Sequence, residues 1–223
     1  APAATAAAAA GVAYRWQRYP GSPVLATSWL RPQDRAVLFE ASASVCAELR
    51  GSMQQSLTGF PGVEVVEEDS YRWLTRSAGH GLSGRGLVLI DPPYDSYDSY
   101  TSWNLFVLRH VHRTWPGCCV GLWYPCRDIA ERASLHCRAQ CLGVGDVLVA
   151  EMSFERRSKE ALACSGMLLV NAPSGMDACL EEVLPALGQL LGPRAAGLGS
   201  RSSVFWLSAV GAKPWDDIRG THK

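Results

Sequence analysis

The run Gly86-Leu87-Val88-Leu89-Ile90 contains no polar residue and stops abruptly on Asp91-Pro92-Pro93-Tyr94. A strand with one face in water alternates apolar and polar residues. A strand covered on both faces reads as an unbroken apolar run, so this segment belongs inside a sheet sandwiched between helices. Strand-like segments at residues 35–40, 63–66, 86–91, 120–124, 147–154, 166–171 and 203–210 alternate along most of the chain with helix-like ones at 24–30, 42–57, 71–77, 97–113, 127–140 and 176–191. Parallel neighbours need crossovers of a dozen residues or more, which such helices supply. The expected fold is α/β: a mostly parallel, doubly wound sheet with helices on both faces, the late strands adding an antiparallel edge.

Residues 1–13 are almost all alanine and residues 212–223 are polar, so one folded domain is expected over 18–211, between a flexible alanine-rich segment at 1–17 and a polar tail. No apolar run has the length of a membrane span, and no charged-then-apolar signal peptide opens the chain. These features predict a soluble intracellular monomer without a membrane partner, either cytoplasmic or organellar (plastid or mitochondrion). The 21 basic residues balance 21 acidic ones, which excludes a strongly basic nucleic-acid-binding domain. Arginines gather at Arg15, Arg18, Arg31 and Arg35 and again at Arg72, Arg76 and Arg85, a pattern that fits a solvated surface. The 8 cysteines form no CxxC pair, so no metal site is expected and they read as reduced core thiols.

Ligands of such sheets bind beyond the carboxyl ends of the strands. Three successive strands end in Glu40, Asp69 and Asp91. An acid in the first position suits ribose hydroxyls and one in the second suits an adenine amino group, although a single acid at a strand end is often only a solvated loop residue. The tetrapeptide at residues 91–94 is more specific. An exocyclic amine is a poor nucleophile because its lone pair is delocalised into the ring. A carboxylate at Asp91 and the backbone carbonyl of Pro92 can each accept one amino hydrogen and stabilise the charge that develops as nitrogen attacks the methyl sulfonium of S-adenosylmethionine. Two prolines stiffen the turn. Tyr94 offers a flat face for a base taken out of its stack. The reading is methyl transfer to an exocyclic adenine amine, with Asp91, Pro92 and Tyr94 as the catalytic group.

Beyond the tetrapeptide, Arg18-Tyr19-Pro20-Gly21-Ser22-Pro23, Arg31-Pro32-Gln33-Asp34-Arg35, Leu122-Trp123-Tyr124-Pro125 and the block at residues 165–173 occur in an order and spacing that resemble the bacterial 23S ribosomal RNA adenine-N6 methyltransferase family, large-subunit methyltransferase J. The resemblance implies a class I, Rossmann-like methyltransferase fold, S-adenosylmethionine as donor and large-subunit ribosomal RNA as substrate. It also implies that Ser22, Glu40, Asp69 and Ser70 contact the cofactor, although Ser70 stands where the family usually has glycine. The family's glycine-rich first strand and turn have no counterpart before Tyr19, so the sheet is expected to lack its first strand. Two other readings remain open at this point: a non-catalytic descendant serving as an RNA-binding or assembly module, and a DNA adenine or protein-glutamine methyltransferase.

Overall fold

A computed structural model of the chain describes residues 20–56, 62–76, 83–94, 97–126, 128–154, 164–191 and 200–211. The alanine-rich segment with Arg15 and Arg18, and the polar tail, lie outside the described residues. The chain divides into two compact units, one ending at Arg72 and the other beginning at Trp73.

The first unit opens with α1 (Ser22–Thr27), which carries proline in its first turn, where a missing N–H costs nothing. The Arg31-to-Arg35 block is a turn. Asp34 accepts from the Arg31 backbone N–H, Nε and Nη2, each at 2.9 Å, and this tie delivers the chain into β1 (Ala36–Glu40). After α2 (Ala43–Ser56) comes β2 (Val63–Glu67), parallel to β1 in the register Ala36↔Val63 to Glu40↔Glu67. The helix α2 is the crossover that parallel pairing demands, and it buries Cys46 and Met53. A further short helix, α3 (Ser70–Arg76), spans the boundary between the units.

The second unit runs β3 (Gly86–Ile90), α4 (Tyr97–Thr114), β4 (Cys118–Cys126), α5 (Ile129–Gln140), β5 (Val147–Phe154), β6 (Cys164–Val170), α6 (Met176–Leu191) and β7 (Ser200–Leu207), and its sheet has the order β3-β4-β6-β5-β7. In this sheet the antiparallel contribution expected of the late strands reaches inward from the edge. Only β3 and β4 pair in parallel, while β4–β6, β6–β5 and β5–β7 are all antiparallel. The reason lies in the connection. Residues 155–163 are too few for a crossover helix, so β6 must return beside β5 in the opposite sense, and it comes to lie between β5 and β4. Among the described residues the strands form two sheets, and β1 and β3 each have a strand on one side only.

Helices cover both faces of the five-stranded sheet. Successive residues of β7 settle this, because strand side chains alternate between faces. The Phe205 ring lies 5.7 Å from that of His136 on α5, whereas Trp206 Nε1 donates to Asp177 of α6 at 3.2 Å. The Arg138 guanidinium donates to Ser102 Oγ at 3.0 Å and so joins α5 to α4 on the first of these faces. Between them lies the core, with Leu105, Leu108, Val120, Leu122, Leu135, Leu148 and Leu168 almost fully buried. On the α6 side of the sheet, Leu87 and Leu89 of β3 stand 70% and 53% exposed.

One charge is built into this core. Glu151 of β5 is 3% exposed and accepts from the Tyr124 hydroxyl at 2.7 Å; His136 Nε2 lies 3.2 Å away and Arg132 Nη1 3.5 Å away. Gly166 makes room for this arrangement, since a Cβ there would come within 2.5 Å of the Tyr124 ring.

The exit from β6 is locked differently. Asn171 adopts φ 54° and its amide donates to the carbonyls of Pro116 and Cys118 at 2.9 and 3.0 Å, with His112 Nδ1 at 3.3 Å. Because β6 is antiparallel to β4, with Val170 opposite Val120, this lock sits at the end of the sheet away from Asp91. Replacing Asn171 by alanine is expected to cost about 1–3 kcal/mol, through unpaired carbonyls and a strained backbone, as read by urea unfolding. A midpoint unchanged from the wild type would show that the three contacts hold nothing.

Candidate active site

Asp91 follows the last residue of β3, so the fold places it at the carboxyl end of the one parallel pair in the second unit. Its side chain is open to solvent on one side, yet the surrounding protein raises its carboxyl above the usual aspartate range by desolvation. Among the described residues no hydrogen-bond donor reaches that carboxylate. The prolines that follow, Pro92 half-buried and Pro93 exposed, contribute no N–H.

Tyr94 closes the turn in the left-handed region, at φ 55°, where a residue with a side chain is strained. Its hydroxyl donates to the backbone carbonyl of Trp123 on β4 and accepts from Asn104 Nδ2 of α4 at 3.1 Å. The ring packs edge-on against Trp123 at 5.6 Å between centroids and tilts against Tyr100 at 6.2 Å. Asp91, Pro92 and Tyr94 therefore form one rigid corner, fixed by β4 and α4 from inside.

The proposed cofactor residues lie in the first unit. Glu40 ends β1, and Asp69 lies two residues beyond the end of the adjacent parallel strand β2. Each carboxylate first serves its own loop: Glu40 Oε1 accepts from Ser42 N at 2.8 Å, and Asp69 Oδ1 accepts from Tyr71 N at 2.8 Å and Arg72 N at 3.3 Å, capping α3. The second oxygen of each has no partner among the described residues. Ser22 and Ser70 are the first residues of α1 and α3, and neither side chain is buried.

A family model described as ribosomal RNA large subunit methyltransferase D, RlmJ, matches residues 11–207. The chain belongs to the RlmJ family. Two curated members, both named ribosomal RNA large subunit methyltransferase J, are each 28% identical to it. The one from Haemophilus influenzae aligns over 80% of this chain and 62% of its own length, and the one from Escherichia coli over 85% and 65%. The chain thus spans just under two thirds of each of these RlmJ relatives. A crystal structure of a Legionella pneumophila protein of the DUF519 family superposes with a TM-score of 0.66 at 20% identity, covering 87% of this chain and 68% of that one, which supports the fold. The α/β architecture expected of a class I methyltransferase is therefore present in this RlmJ-family chain.

The sequence points to Asp91 and Tyr94 but not to Asn104 and the Trp123 carbonyl, which hold the Tyr94 hydroxyl. Asn104 had a signal. It shares a helix face with Thr101, Leu105, Leu108 and Val111, all buried, and a fully buried amide on such a face demands a polar partner. The Trp123 contact had none, because it is made by backbone. Five of the eight cysteines are buried, Cys119 is partly buried, Cys137 and Cys179 are exposed, and all eight are free thiols. Among the described residues no three of His, Cys, Asp and Glu stand together as a metal site, and no helix is long and apolar enough to cross a membrane.

Proposed function

We propose that residues 18–211 act as one methyltransferase domain of an enzyme that transfers the methyl group of S-adenosylmethionine to N6 of an adenine in large-subunit ribosomal RNA, inside the cell. The observation that carries this reading is the rigid corner at residues 91–94, where an unpartnered carboxylate stands beside an anchored aromatic ring. Asp91 and the Pro92 carbonyl hold the two amine hydrogens, which concentrates the nitrogen lone pair towards the incoming methyl. The nitrogen so held would accept the methyl group that the donor supplies as its sulfonium becomes a thioether, and Asp91 would take the surplus amine proton. Tyr94 presents its ring to the base. S-adenosylmethionine, when bound, supplies the electrophilic methyl group. Glu40 fits its ribose hydroxyls and Asp69 its adenine amino group, because each keeps one carboxylate oxygen without a partner among the described residues. Ser22 and Ser70 supply further polar contacts.

The test is methylation of protein-free large-subunit ribosomal RNA transcripts by the full-length protein, with nucleoside mass spectrometry as the readout. N6-methyladenosine is expected, and its absence under conditions that saturate donor and RNA would overturn the reading. The rate should also depend on pH through Asp91. Only the ionised carboxylate accepts amine hydrogens, so activity should rise as pH increases through the Asp91 pKa and fall below it. Burial places that limb above the ordinary aspartate value of about 3.9. A pH–rate profile flat down to the ordinary aspartate range would remove Asp91 from the proton-handling role.

A further inference from the structure

We infer that Asn104 is a positioning residue for the reaction, acting through the Tyr94 hydroxyl; this rests on the methyl-transfer reading above. Asn104 is fully buried on a helix face otherwise lined by Leu105, Leu108 and Val111, a place where an apolar side chain would pack without any need for partners. Its amide instead donates to the Tyr94 hydroxyl at 3.1 Å. A hydroxyl that accepts from an amide must direct its own hydrogen elsewhere, and here the hydrogen goes to the Trp123 carbonyl. The two bonds together fix the phenol oxygen between α4 and β4. The ring pivots on that oxygen at one end and on a left-handed backbone at the other, so its plane is set before any base arrives. With its hydrogen committed to the Trp123 carbonyl, the hydroxyl has none to donate to a base, and the ring offers the base its face. Asn104 touches neither base nor cofactor. It governs how well a base is presented to Asp91, and so belongs to turnover and not to donor binding.

The experiment uses the full-length protein with Asn104→Ala, Tyr94→Phe and the double variant, assayed on large-subunit ribosomal RNA transcripts alongside S-adenosylmethionine binding by calorimetry. Either single substitution should lower kcat about tenfold with donor affinity within twofold of wild type. In the Tyr94→Phe background, Asn104→Ala should cost no more than a further twofold, because the hydroxyl through which it acts is gone. An equal tenfold loss in both backgrounds, or Asn104→Ala turnover within twofold of wild type, would overturn the inference.

Tyr94→Phe removes one oxygen and leaves no large cavity, so it keeps the test alive should Asn104→Ala fail to fold. In that event, Tyr94→Phe turnover within twofold of wild type overturns the inference and a tenfold loss supports it. A second readout needs no activity at all. With ring-labelled tyrosine, the 13Cζ resonance absent from the Tyr94→Phe spectrum identifies Tyr94, and it should shift in Asn104→Ala; an unmoved resonance would sink the link between the two residues. A wild type that methylates no RNA, together with that shift in Asn104→Ala, would instead refute the methyl-transfer reading while leaving the Asn104–Tyr94 coupling standing.

Discussion

Replacement of Asp91 by alanine in the full-length protein is expected to lower methyl transfer on the order of 10³-fold, with S-adenosylmethionine binding and stability nearly unchanged. The three parts of this expectation have separate causes. Loss of a group aimed at developing charge in a site partly shielded from water is typically worth about 10²–10³ in rate, and here the same group also takes the proton. Donor binding persists because the carboxylates proposed to hold the donor are Glu40 and Asp69. Stability persists because Asp91 is open to solvent and no described residue donates to its carboxylate, which places the change within about 0.5 kcal/mol. Asp91→Asn keeps one acceptor oxygen but no charge, and should fall between the wild type and the alanine variant. Methyl incorporation into ribosomal RNA, donor titration and thermal melting check the three parts. Turnover of the alanine variant within tenfold of wild type would dismiss Asp91 as the catalytic group.

The largest expected loss of stability comes from a residue with no part in the chemistry. Glu151→Ala should destabilise the second unit by about 3–5 kcal/mol, since removing one partner of a buried charged network strands the others. The Tyr124 hydroxyl would keep only His136 Nε2, 3.1 Å away, as a partner, and Arg132 would lose its neighbour. Burial alone would raise the Glu151 carboxyl. Hydrogen bonds from His136 and Tyr124, with the charges of His136 and Arg132, outweigh it and hold the carboxyl below the ordinary glutamate range. The same carboxylate pushes the Tyr124 phenol further up, beyond the rise that burial causes. For an acid with a lowered folded pKa, the stabilisation is complete above the unfolded value of about 4.3 and is lost as pH falls through the folded value. Wild-type stability should therefore drop between neutral pH and the acid range by an amount that Glu151→Gln largely lacks. Urea unfolding at several pH values measures both effects. An alanine variant within 1 kcal/mol of wild type at neutral pH would show that the network is held together by packing alone.

What the sequence revealed and what it hid divide along a physical line. Periodicity and composition report on each segment by itself, so the unbroken apolar run became β3, and every other segment read as a helix or strand formed within a few residues of its expected bounds. Pairing partners are not encoded in that way. The antiparallel pairing of β6 with β5 follows from the length of the 155–163 connection, but its place beside β4 and the division into two sheets follow from which strands find neighbours. In the candidate site, the residues proposed to do the chemistry were legible because amine activation demands particular types. The supports were not. Trp123 acts through its carbonyl, and Asn104 resembles any helix polar residue until its buried neighbours are counted. Asn171 was noticed as part of a block that resembles the family, and the structure gives it an architectural role at the far end of the sheet. Glu151, a lone acid in the apolar strand at residues 147–154, advertised a need for partners, but those partners come from β4 and α5 and no local pattern names them.

The prolines that follow Asp91 have a second consequence. Among the described residues β3 has a strand on one side only, and it bears two exposed leucines, the combination that invites a foreign strand to add itself and seed aggregation. Yet the strand is 5 residues long, and the two residues after Asp91 lack the N–H groups with which a growing ladder would continue. The turn that ends β3 thus also limits how far a foreign strand could pair along that side of it.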